Sequence, residues 1–140
     1  MDGRPGFRRS LASAAGRVPQ AIRQRARQMR TADGRALLVT VDAPDPLPTV
    51  PAAVEVVAFR IVVEALTNVC RHAHSDRAAV TLRLPGDGLD LEILDAGPPR
   101  AAWPAGVGIA SMRERAESVG GTCTAAASSA GGRVSAHLPI

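Results

Sequence analysis

Apolar and polar positions change period several times along the chain, and each change marks an element. Residues 1–18 mix Gly, Pro, Ser and Arg without periodicity and are expected to form a flexible basic segment ahead of a domain at 19–140. Pro19 suits the first turn of a short helix over about Gln20–Arg30, with Ile22 and Met29 as its few apolar anchors. After the turn ADG (32–34), the run RALLVTVD (35–42) is rich in branched residues and predicts a strand. The connector APDPLPTVP, Ala43 to Pro51, holds too much proline for a helix or an inner strand. A long helix is predicted from about Ala52 to Ala73. Its Val54, Val57, Ala58, Ile61, Val62, Ala65, Leu66 and Val69 cover most of the circumference, which marks a buried helix.

RAAVTLRL (77–84), the turn PGDG (85–88) and LDLEILD (89–95) predict a hairpin. AGPPRAAWPAGVG (96–108) is irregular, and a helix over about Ile109–Val119 should stop at Gly120-Gly121 in a left-handed cap. TCTAAA and RVSAHLP are two last strands around an SSAGG turn. The order α-β-α-β-β-α-β-β implies an α+β fold: a two-layer sandwich with a mixed, mostly antiparallel sheet and about three helices on one face.

A length of 140 residues suits one domain, and 46% hydrophobic residues with two Phe, one Trp and no Tyr require an aliphatic core. No uncharged apolar run is long enough to span a membrane, and the early arginines precede no apolar signal-peptide region. Cys70 and Cys123 are expected to be reduced, buried residues of a cytoplasmic protein. The charge is uneven: residues 1–35 hold nine Arg against Asp2 and Asp33, whereas the remainder is acidic. No aromatic residue interleaves with Arg23, Arg25, Arg27 and Arg30, so neither nucleic acid nor a membrane is expected as a direct partner. The chain has no lysine, which excludes a Walker-type phosphate loop.

Three short stretches carry candidate chemistry. In EALTNVCRHA, Glu64, Asn68 and His72 succeed one another at four-residue spacing and share one stripe of the long helix. A carboxylate and an amide in such a helix need hydrogen bonds, a metal or a ligand, and pairing with backbone or neighbouring loops would satisfy them as well. In ILDAGPP, Asp95 closes an apolar strand and Gly97 follows. An acid there can accept from an exocyclic amine while the glycine admits a flat ring, and an ordinary strand-ending turn would use the same residues. In GVGIASMRER, Gly106 and Gly108 open a helix whose free N–H groups suit phosphate oxygens. Together these describe a nucleotide site.

The stretches RIVVEALTNVCRHAHSDRAAVTLRL, LEILDAGPP, GVGIASMRERAESVGGT and GGRVSAHLPI, in this order, resemble the ATP-binding domain of bacterial sensor histidine kinases of the Bergerat superfamily. The nearest subclass is the one that partners NarL-type response regulators, and the likeness covers about residues 47–140. It implies ATP and Mg²⁺ as cofactors, with Asn68 as the metal ligand and Glu64 as the acid that orients or deprotonates the attacking group. It places His72 near the phosphates, Asp95 and Gly97 at the adenine, and Gly106, Gly108, Ile109 and Met112 at the end of the lid and the helix after it. A short lid over about Pro98–Ala105 follows from the same likeness. Departures stand beside it: DAGPP replaces a pattern richer in acid and glycine, Ser111 stands for a glycine, and Gly132 or Arg133 for a threonine.

The implied activity is transfer of the γ-phosphoryl group of MgATP to a histidine on a separate dimerisation module, which then serves a response regulator. None of His72, His74 and His137 follows the amphipathic hairpin that an acceptor needs, so the acceptor is expected outside this chain. The expected location is cytoplasmic, with any membrane anchor in another part of the parent protein. Two alternatives share the fold: a serine kinase of the anti-sigma-factor type and a non-catalytic nucleotide-binding module.

Overall fold

The computed structural model describes residues 17–72, 75–97, 108–128 and 131–140. Helix α1 spans Arg17–Ala26, strand β1 Leu38–Asp42, helix α2 Ala52–His72, strands β2 and β3 Arg77–Arg83 and Gly88–Asp95, helix α3 Ile109–Glu117, and strands β4 and β5 Thr122–Ser128 and Gly131–Pro139. The strands form one sheet in the order β1-β2-β3-β5-β4. β1 pairs with β2 in parallel, and every other pairing is antiparallel. The expected α+β sandwich is therefore the observed one.

Strand patterning builds the two layers. In β2 and β3 alternate residues are buried: Ala78, Val80 and Leu82, then Leu89, Leu91 and Ile93. These meet the buried stripe of α2, in which Val54, Ala58, Ile61, Val62, Ala65, Leu66 and Val69 recur at three- and four-residue spacing. The eight apolar residues expected inside from α2 are all buried. The helix is not enclosed on every side, however. Val56 is 53% exposed and Phe59 and Val63 are half-buried, because α2 packs on the sheet and between α1 and α3 and leaves the rest of its surface to solvent.

Two boundaries differ from expectation. α1 begins at Arg17 rather than near Gln20, and Val18 is buried in the core. Pro19 sits within the first turn, where its missing N–H costs nothing. The helix also ends at Ala26 rather than near Arg30. The chain there turns back, Met29 drops into the core, and Arg30 forms an isolated bridge to Ala36. The N–H of Ala32 in the next turn donates to the Cys70 carbonyl at 3.1 Å and covers the last turn of α2. The end of α3 follows expectation: Gly120 has φ +80° and the Gly121 N–H reaches back to the Ala116 carbonyl at 2.8 Å. Cys70 and Cys123 are buried and unbridged, and burial pushes both thiols up from their ordinary pKa.

Candidate functional site

Connectivity brings the site elements to one end of the sheet. α2 ends at His72, and β2 begins five residues later at Arg77, a step of at most about 18 Å. Ala78 of β2 pairs with Asp95 at the end of β3, and the Ala96 N–H donates to the Arg77 carbonyl at 3.2 Å. The first residues of β5 lie beside the same strand end. The end of β3 and the start of β5 therefore meet, and the end of α2 lies within that one step of the start of β2.

Asp95 is 4% exposed. One carboxylate oxygen accepts from the Gly97 N–H at 2.9 Å, and the other accepts from the Gly132 N–H at 3.1 Å. The two bonds fix the plane of the carboxylate and tie the end of β3 to the start of β5. Gly131 has to be glycine for this: its φ is +115°, and a Cβ there would lie 2.5 Å from the Asp95 carbonyl oxygen and 2.6 Å from Oδ1. From sequence, Gly131 and Gly132 belong to a hairpin turn, with Gly132 or Arg133 standing where the related family has a threonine. The doubled glycine is the available signal, and Asp95, its partner, lies 37 positions from Gly132.

Glu64 and Gly108 also meet. Gly108 caps α3 with φ +87°, and a Cβ at that position would fall within 2.4 Å of Glu64 Oε2. The glycine thus lets the start of α3 close over the carboxylate of α2. One turn beyond Glu64, Asn68 is 4% exposed, and His72 is half-buried at the end of the helix. Met112 is fully buried and anchors α3 in the core, while Ile109 packs partly buried against it. Gly106 and the segment expected as a lid lie outside the described residues.

Glu64 lines a groove of about 770 Å³ between α1, α2 and the side chain of Arg115 in α3. Thr67 and Arg71 line the same groove, and neither was singled out from sequence because both look like solvated helix positions. Asp95 borders a different recess, with Leu38, Ala79 and Leu94. Among the described residues no three His, Cys, Asp or Glu side chains cluster as a metal cage.

No family model matches the chain. The sensor histidine kinase YxjM of Bacillus subtilis (strain 168) is 35% identical over 91 residues, which is 64% of this chain and 22% of that protein. The signal transduction histidine-protein kinase/phosphatase UhpB of Salmonella typhimurium is 34% identical over 126 residues, which is 87% of this chain and 24% of that protein. The chain thus spans less than a quarter of the curated relatives it matches. The histidine kinase domain of the Erythrobacter litoralis EL346 blue-light activated histidine kinase superposes with TM-score 0.63 at 27% identity, over 93% of this chain and 61% of that one. The mycobacterial sensor histidine kinase MprB superposes with TM-score 0.63 at 20% identity, over 88% of this chain and 92% of that one, a likeness of fold.

The sheet order, the helical layer and these superpositions define the fold of histidine kinase ATP-binding domains. Within that class the chain belongs with the sensor histidine kinases, in the subclass that UhpB and YxjM represent. Among the described residues no helix is long and apolar enough to cross a membrane.

Proposed function

We propose that this chain binds MgATP and donates its γ-phosphoryl group to a histidine on a separate dimerisation module that serves a response regulator. The observation that carries the reading is the closure of Gly108, at the start of α3, over the Glu64 carboxylate of α2. The buried Asn68 one turn further on and the buried carboxylate of Asp95 at the end of β3 support it. Asp95, held by two backbone N–H groups, is oriented to accept from the adenine amino group, and Gly97 leaves room for the ring. Asn68 supplies one neutral oxygen to Mg²⁺, which neutralises phosphate charge when bound. Gly108 and its helix start offer backbone N–H groups to the phosphates, with Gly106 and Ile109 on either side of it. His72, one turn beyond Asn68, stands near the phosphate tail, and Met112 supports the helix from within the core.

Glu64 orients the attacking imidazole and takes its proton. The new P–N bond then forms as the bond to the β-phosphate oxygen breaks, and ADP leaves. Positioning and charge neutralisation supply most of such catalysis. In isolation the chain is expected to bind nucleotide with little turnover, because the acceptor is a separate module.

Isothermal titration tests the reading. Saturable heat with MgADP or a non-hydrolysable ATP analogue is expected, reduced by chelating Mg²⁺ and lost in Asn68→Ala. Silence toward both ligands at roughly millimolar concentration overturns it. A non-catalytic module has one observation in its favour, since the Asp95 carboxylate already serves as a clamp between β3 and β5. Labelled ATP, offered with a dimerisation module or with an anti-sigma antagonist, separates histidine transfer from serine transfer and from binding alone.

A further inference from the structure

Strand β5 fixes the direction in which the Asp95 carboxylate points. The backbone ladder between β3 and β5 runs from Gly88 and Pro139 to Leu94 and Arg133. The N–H of the next residue, Gly132, goes to the Asp95 side chain at 3.1 Å, while the Gly97 N–H holds the other oxygen at 2.9 Å. The Gly97 donor, two residues away, would by itself let the carboxylate move with its own turn. The Gly132 donor comes from a separate strand, and the turn is tied to β2 by the Ala96 N–H at 3.2 Å from the Arg77 carbonyl. With each oxygen held from a different segment, the carboxylate plane cannot swing without breaking a buried hydrogen bond.

Gly131 permits this close approach. At φ +115°, a Cβ there would lie 2.5 Å from the Asp95 carbonyl oxygen, 2.6 Å from Oδ1 and 3.2 Å from the Gly97 carbonyl oxygen. A side chain at 131 would therefore push on the carboxylate and its turn directly. The donors are also of a restrictive kind. A hydroxyl rotates and can donate or accept, whereas a backbone N–H only donates, in a direction that its strand sets.

A fixed direction decides between purines, because two of them carry the same pair of groups with opposite polarity. Adenine has a donor at its exocyclic amine and an acceptor at the adjoining ring nitrogen. Hypoxanthine has an acceptor oxygen in place of the amine and a donor at that ring nitrogen. A carboxylate able to turn could follow the donor from one position to the other and hold either base. One locked in a single plane reads only the position it faces.

We propose that Gly131 and Gly132 are positioning residues for base selection, locking Asp95 on the exocyclic amine so that amino purine nucleotides bind and oxo purine nucleotides are rejected. The inference rests on the reading that Asp95 meets the nucleobase. Isothermal titration of the full chain with MgADP and with magnesium inosine diphosphate tests it, because the two ligands share the same phosphates and ribose. MgADP should bind about ten- to hundredfold more tightly, the effect of setting two buried acceptors against each other. Gly131→Ala, which displaces the carboxylate, and Gly132→Pro, which removes the donor, should each bring that ratio towards one. A merely structural role would lower both affinities together and leave the ratio unchanged.

Either variant reports if the other fails to fold, and the parent's own ratio requires no substitution. A parent that binds both nucleotides equally, or a folded variant that keeps the parent's ratio, overturns the inference while nucleotide binding stands. A parent silent to both ligands overturns the reading of the site, and the inference with it.

Discussion

Gly108 joins a backbone requirement to the chemistry of the site. Its φ of +87° disfavours any side chain, and a Cβ would strike the Glu64 carboxylate at 2.4 Å. Gly108→Ala therefore costs about 1–2 kcal/mol from conformation alone, and more from displacing Glu64. The expected fall in melting temperature is about 2–4 °C per kcal/mol, readable by circular dichroism, and an unchanged value would show that α3 does not close on α2 this way. A second residue-scale prediction concerns His137, away from the site. Its Nδ1 lies 2.6 Å from Asp90 Oδ1, and that hydrogen bond raises the histidine pKa above 6.5. The folded state therefore binds the proton more tightly than the unfolded one. The pair's stabilisation is complete below the ordinary histidine pKa and is lost as pH rises through the raised value. His137→Gln should flatten the pH dependence of the urea midpoint as pH rises above the ordinary histidine pKa. The pair is half exposed, so the slope is expected to be shallow.

At the scale of elements, α3 is the most weakly anchored part of the site. Only Met112 and Ala116 of its nine residues are buried, and Met112 is fully enclosed. Met112→Ala should cost about 2–5 kcal/mol by loss of apolar contact and the cavity left behind. A urea midpoint moved by less than about 1 kcal/mol-equivalent would mean that α3 is held by something other than this side chain. The same distinction between local and distant contacts explains what the sequence could show. Periodicity located every element, because burial of one face acts on residues close in sequence. Glu64, Asn68 and Asp95 were legible as polar residues breaking apolar runs. The clamp of Asp95 on Gly132 was not, since β5 pairs with β3 across two intervening elements and hairpin glycines look alike. Nor was the parallel pairing of β1 with β2, because alternation along a strand says which face is buried and not which neighbour lies beside it. Arg60, Arg71 and Arg115 look like ordinary solvated charges until three helices place them around one groove.

On the scale of the whole molecule, the proposed nucleotide site draws on parts far apart in sequence, so ligand binding there should couple to global unfolding. Glu64 and Asn68 come from α2, Asp95 from β3, Gly108 from the start of α3, and the Asp95 clamp from β5. A ligand that contacts several of these elements has no comparable site on the unfolded chain. It should stabilise the fold by about 2.7 kcal/mol at a hundredfold excess over its dissociation constant. For a domain of this size that is roughly 5–10 °C in melting temperature. MgADP should produce the shift in a thermal melt of the whole chain, and chelation of Mg²⁺ should reduce it. Asp95→Asn sharpens the test, because the amide retains the shape of the carboxylate but replaces one acceptor with a donor facing a backbone N–H. The variant should melt lower without ligand, by the cost of an unsatisfied buried group of about 1–3 kcal/mol, and should gain little on adding MgADP. A variant that melts lower yet keeps the full ligand-induced shift would show that Asp95 serves the junction of β3 and β5 alone, and that adenine is read elsewhere.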